Sequence, residues 1–171
     1  MNKKLVLKII LIIILLCRIG VPFLIFSYPL PAFLLSVLFD SFDGQLFYLL
    51  GFRWHQYNTI DKILDYWWYF FILLFLRGQP VFTIGLILFL YRGIGQIIGI
   101  VKKNEKAYLY FPNILEWFFL TNLLFPNSQT FILLLVSISW SLFVEWLMHK
   151  SNLHIVSKYI FHQEMKWELP V

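Results

Sequence analysis

Charge is scarce in this chain. Asp, Glu, Lys and Arg make up 13% of its 171 residues, hydrophobic residues make up 60%, and the mean hydropathy is +0.76. A soluble globule carries roughly 25% charge, so too little polar surface exists here to face water all round, and a bilayer is the solvent that fits. Cysteine is nearly absent. Cys17 alone rules out an internal disulfide and a cysteine-built zinc site. The amino terminus begins like a signal peptide, with Lys3 and Lys4 before an apolar run, but no small-x-small cleavage site follows and Arg18 interrupts the run. Leu16 stands before Cys17 where lipoprotein processing wants a small residue, so the segment reads as an uncleaved first membrane helix. The net charge of +5 and pI near 9.3 come from basic residues scattered singly between apolar runs. Without a basic face, they exclude a nucleic-acid partner and point to membrane topology instead.

What is abundant is apolar sequence in lengths that suit a membrane. A spanning helix needs about 20 mostly apolar residues, and six such segments can be read: Leu5 to Phe26, Pro31 to Phe52, Thr59 to Leu76, Val81 to Val101, Tyr108 to Phe125 and Thr130 to Met148. Pro, Gly and Asn fall at the joints and the apolar runs do not alternate, which favours helices over a barrel. The expectation is an all-α, polytopic bundle of about six helices forming one membrane domain over 1–171, with a polar tail from about 149. With the amino terminus in the cytoplasm, Lys3, Lys4, Lys8, Arg53, Lys102, Lys103, Lys106, Lys150, Lys158 and Lys166 share that side and only Arg77 lies opposite. The positive-inside rule therefore puts both termini and the Arg53–Asn58 loop in the cytoplasm.

Aspartate is confined to Asp40, Asp43, Asp61 and Asp65, all inside the second and third apolar segments. A charged side chain at a helix centre costs roughly 2.5–3.5 kcal/mol on insertion scales, which marks these four as functional candidates. Asp40 and Asp43 are i,i+3 on one helix, and Asp61 and Asp65 are i,i+4 on the next, so each pair projects from one face. Antiparallel neighbours joined by a short loop bring the two pairs together near the cytoplasmic surface. Four carboxylates repel unless cations neutralise them, and hard divalent ions such as Mg²⁺ or Mn²⁺ prefer oxygen ligands. A two-ion clamp of this kind serves phosphoryl chemistry.

The stretch Asp40-Ser-Phe-Asp43-Gly44, with Phe47-Tyr48, Tyr57, Asp61 and Asp65, resembles the signature of the CDP-alcohol phosphotransferase family, Asp-x2-Asp-Gly-x2-Ala-Arg-x8-Gly-x3-Asp-x3-Asp. The four aspartates and Gly44 match without a spacing error. Arg18-Ile-Gly-Val-Pro22 is similar to the Arg-containing start of the family's first membrane helix, and Tyr91-Arg92-Gly93 to an Arg-containing segment of its fourth. The resemblance implies that Asp40, Asp43, Asp61 and Asp65 ligate Mg²⁺ or Mn²⁺, as two ions, against the pyrophosphate of a CDP-linked lipid or alcohol. It implies Asp65 as the base that deprotonates an alcohol acceptor, release of CMP, and a role in phospholipid biosynthesis. Gly44 and the positions of Phe47 and Tyr57 would line the nucleotide site, and Arg92 would hold an acceptor phosphate. A homodimer is left open. Phe47-Tyr48 replace the family's Ala-Arg and Tyr57 replaces its second Gly; the rings either stack on the base or fill its pocket, with stacking or a partly open pocket the expectation.

Two other readings stand beside this one. A catalytically inactive relative could act as a membrane subunit or lipid-binding protein, as Phe47 and Tyr57 suggest. An ion or metal transporter could use the acidic cluster as a permeation site, though helices four to six carry no aspartate counterpart that would signal an inverted repeat. Elsewhere, Gly93, Gly95 and Gly99 read as close helix packing. Glu116 and Glu145 read as cross-bundle hydrogen-bonding residues, and Tyr66, Trp67, Trp68 and Tyr69 as either a girdle or packing. His149, His154 and His162 read as solvated tail residues, and His154–Trp167 as an interfacial helix.

Overall fold

The computed structural model describes residues 3–102 and 106–150. The tail residues His154 and His162 and the interfacial reading of His154–Trp167 lie outside them. Seven α-helices and no strand occur among the described residues: α1 (Lys3–Gly20), α2 (Pro29–Leu49), α3 (Trp54–Leu76), α4 (Phe82–Lys102), α5 (Lys106–Tyr110), α6 (Ile114–Leu124) and α7 (Thr130–Lys150). A 3₁₀ segment, Val21–Phe26, extends α1. Among the described residues, four stretches are long and apolar enough to cross a membrane: Lys3–Phe26, Pro29–Leu49, Phe82–Lys102 and Thr130–Leu147. Helix α3, with 23 residues, has the length to cross but carries Asp61, Lys62 and Asp65 in its first half. The fifth expected span, Tyr108 to Phe125, is two helices. Pro112 has no amide hydrogen and pushes Phe111 out of the helical region, so the chain breaks between α5 and α6. At about 1.5 Å per residue, the 11 residues of α6 are too short to cross alone.

The chain forms two compact units whose boundary falls inside α3, between Trp68 and Tyr69. In the first, α1 packs along α2. Leu11, Leu46 and Phe47 form a buried cluster flanked by Leu7, Ile14, Leu15, Leu50, Tyr57 and Ile60. The other side of α1 leaves Leu5, Ile9, Ile12, Ile13 and Leu16 exposed, a surface for lipid and not for water. Trp67 donates through Nε1 to the Ile19 carbonyl at 3.1 Å and meets Phe23 edge-on, while Trp68 is buried. Trp67 and Trp68 thus serve packing.

The turn from α2 to α3 is set by its own chemistry. Gly51 takes φ +81°, a left-handed conformation open to Gly without steric cost. Its amide donates to the Tyr48 carbonyl at 3.0 Å, and the Phe52 amide donates back to the Phe47 carbonyl at 3.1 Å. These are the two hydrogen bonds of a Schellman motif, and the apolar contact that accompanies one is the Phe47–Phe52 ring pair, 5.0 Å between centroids. The reversal brings the end of α2 beside the start of α3.

In the second unit, Gly95 and Gly99 on α4 receive Phe111 and Tyr108. A Cβ on Gly95 would stand 2.2 Å from the Phe111 Cβ, and one on Gly99 would stand 2.5 Å from the Tyr108 ring. The small residues therefore serve close packing, as their spacing suggested. Between α6 and α7, Thr121 and Ser137 share a hydrogen bond of 2.9 Å, and Trp117 meets Trp140 edge-on at 5.7 Å.

Candidate metal centre

The second half of α2 supplies Asp40 and Asp43, and the first half of α3 supplies Asp61 and Asp65. Because the Schellman turn lays these segments together, the four carboxylates converge on one point. At that point sits the guanidinium of Arg18 from α1, itself buried. Its Nη1 donates to Asp43 Oδ2 and to Asp61 Oδ1, the latter at 2.9 Å. Its Nη2 reaches Asp40 Oδ1 and Asp65 Oδ1, both at 2.8 Å. Lys62 Nζ takes the remaining oxygens of the α3 pair, Asp61 Oδ2 at 2.7 Å and Asp65 Oδ2 at 2.8 Å.

Burial grades the four. The Asp40 side chain is 48% exposed and opens the cluster to its surroundings. Asp61 and Asp65 are largely covered, and Asp43 is sealed. The second oxygen of Asp43, Oδ1, is buried with no hydrogen-bond partner among the described residues. A buried carboxylate oxygen left so is costly unless a cation or donor meets it. Formal charges sum the same way: four carboxylates against Arg18 and Lys62 leave two negative charges. Asp40, Asp61 and Asp65 each bring one carboxylate oxygen to within 4.8 Å of the others. Hard oxygen donors, a residual charge of minus two and an unsatisfied buried acceptor are the donor chemistry that suits a divalent cation.

The other expected site residues divide. Gly44 is buried beside Asp43, but the ring of Tyr57 lies over it: a Cβ at Gly44 would stand 2.9 Å from Tyr57 Oη and 3.1 Å from its Cζ. Phe47 is buried and packs on Phe52 and on Tyr57, 5.4 Å between centroids. The expectation of a stacking platform or a partly open pocket at these residues needs correcting. Phe47 is the apolar partner of the helix terminus, and Tyr57 fills the gap that Gly44 leaves. Arg92, expected to hold a phosphate, bonds the Phe111 carbonyl, pairs with Glu145 at 3.4 Å and lies 5.5 Å from the Tyr108 ring centroid. Glu145 also accepts from the Asn113 amide at 3.3 Å, and Glu116 accepts from Asn113 Nδ2 at 2.5 Å. Glu145 is thus a cross-helix hydrogen-bonding residue, as read from the sequence, and Glu116 also bonds at its own helix start.

Sequence reasoning missed the two cations. Arg18 was visible as a charge inside an apolar run, which demands a buried counter-charge, and Lys62 as the neighbour of Asp61 at i,i+3 from Asp65. Neither signal by itself names the aspartates as the partners. No protein-family model, curated protein or solved structure matches the chain.

Proposed function

We propose that this chain is a divalent-cation-dependent membrane transferase, moving a phosphoalcohol group from a CDP-linked donor to an alcohol acceptor with release of CMP. The observation that carries the reading is the meeting of Asp40, Asp43, Asp61 and Asp65 at one point, with Asp43 Oδ1 buried and unsatisfied and two formal negative charges in excess. Asp40, Asp61, Asp65 and the inner Asp43 would hold Mg²⁺ or Mn²⁺, which would supply positive charge to neutralise a pyrophosphate. Asp65 takes the proton of the acceptor hydroxyl. The acceptor oxygen then bonds the β-phosphorus, the bond from that phosphorus to the CMP phosphate oxygen breaks, and CMP leaves. A six-span arrangement with α3 in the membrane, α5 and α6 together as a broken span, and the cluster on the cytoplasmic side belongs to the same proposal.

The packing of Tyr57 over Gly44 and of Phe47 against Phe52 favours a second reading, an inactive relative that keeps the acidic cluster without a cytidine pocket. One assay separates the two. Purified protein is incubated with labelled CDP-diacylglycerol, Mn²⁺ and a panel of alcohols, and CMP is measured. Release that needs both Mn²⁺ and an alcohol, and disappears in Asp65→Asn, supports the transferase. Mn²⁺ binding with no CMP under any alcohol leaves the inactive relative.

A further inference from the structure

The place of Arg18 in the cluster has a consequence for how an ion enters it. Arg18 and Lys62 between them occupy both oxygens of Asp61 and both of Asp65, and Arg18 takes one oxygen each of Asp40 and Asp43. The three carboxylates that come within ligand range of one another, Asp40, Asp61 and Asp65, are all bonded to the same guanidinium. An ion bonded to those oxygens at about 2.0–2.2 Å leaves no room for N–H donors on the same lone pairs. The guanidinium fork is a cross-brace: both of its Nη atoms bridge α2 to α3, each touching one aspartate from either helix.

We infer that Arg18 is a built-in counter-cation that holds the two aspartate pairs together without metal and that a divalent ion must displace, so Arg18 sets the ion affinity of the site. This inference rests on the metal reading given above. It adds that Arg18 cross-braces α2 and α3 through all four carboxylates. Asp43 Oδ1, buried and unmatched by either cation, is the acceptor that an entering ion satisfies and Arg18 does not. Removing the guanidinium charge takes a repelling cation from beside the incoming ion and frees four oxygens. A like charge within ~4 Å opposes binding by more than one factor of ten even at a well-screened effective dielectric.

The test is calorimetric titration of Mn²⁺ into detergent-purified protein, paired with thermal unfolding in the presence and absence of the ion. In Arg18→Gln, Mn²⁺ binding should tighten roughly tenfold or more, and the ion-free melting temperature should fall while added Mn²⁺ restores it by a wider margin than in the wild type. Arg18→Lys keeps the charge but cannot fork across both helices, so it should fold and bind Mn²⁺ several-fold tighter. Mn²⁺ binding in the wild type that either variant leaves unchanged or weakens overturns the inference alone. No Mn²⁺ binding in the wild type, Arg18→Gln or Arg18→Lys overturns it together with the metal reading.

Discussion

The contact between Gly44 and Tyr57 decides whether the space next to Asp43 belongs to the protein or to a ligand, and Gly44→Ala measures it. The added Cβ would lie 2.9 Å from Tyr57 Oη, 3.1 Å from Cζ and 3.6 Å from Cε1, against an optimum of roughly 3.5–4.0 Å for carbon contacts. The ring must retreat by about half an ångström, and it is backed by Phe47, which is itself buried against Phe52. Overpacking of this kind costs about 1–3 kcal/mol. Opposing it is the helix preference of Ala over Gly inside α2, worth about 1 kcal/mol. The balance is a net loss of up to about 2 kcal/mol, or roughly 2–4 °C in melting temperature per kcal/mol for a chain of this size. In a Tyr57→Leu background the clash is gone and only the helix preference remains. Gly44→Ala should then stabilise by about 1 kcal/mol. The sign should reverse between the two backgrounds, read by thermal unfolding in detergent. Stabilisation of similar size in both would show that the Tyr57 ring does not lie over Gly44 and that the space is open to a nucleotide.

Four further outcomes follow from the same geometry. Gly51→Ala forces a Cβ into the left-handed conformation at φ +81° and should cost about 1–2 kcal/mol, with a matching loss of Mn²⁺ affinity because the turn aligns the aspartate pairs; unchanged affinity would detach the turn from the site. Asp43→Asn should abolish Mn²⁺ binding in calorimetry, whereas Asp65→Asn should keep ion-dependent donor binding and lose CMP release, and equal mild effects would refute separate roles. Arg92→Met leaves Glu145 buried beside an apolar chain and should destabilise by about 3–5 kcal/mol, with much of that recovered in the Arg92→Met, Glu145→Leu double variant; additive losses would mean the pair is not coupled. Cysteines at positions 53 and 77, in a Cys17→Ala background, should label from opposite sides of oriented vesicles, and labelling from one side would end the six-span topology.

Much of the framework was local and therefore legible in the sequence. The helical class, the run boundaries at Pro29 and Gly78, and the spacing of both aspartate pairs follow from hydropathy, proline and glycine chemistry and the helical repeat, none of which needs a partner. The facing of Asp40–Asp43 and Asp61–Asp65 also followed, because a short turn between neighbouring helices leaves few alternatives. Tertiary structure decided the rest. Arg18 meets carboxylates 22 to 47 positions away, and no periodicity in α1 says which charge it finds. Phe47 and Tyr57 could be read as ligand residues from their place in a motif, yet their rings are committed to a helix terminus and to a glycine gap, choices made by packing against residues that the motif does not contain. Pro112 shows the same limit from the other side: the hydropathy of Tyr108 to Phe125 is continuous, but the backbone is not. Composition measures what a segment prefers as solvent, while helix continuity depends on one missing amide hydrogen.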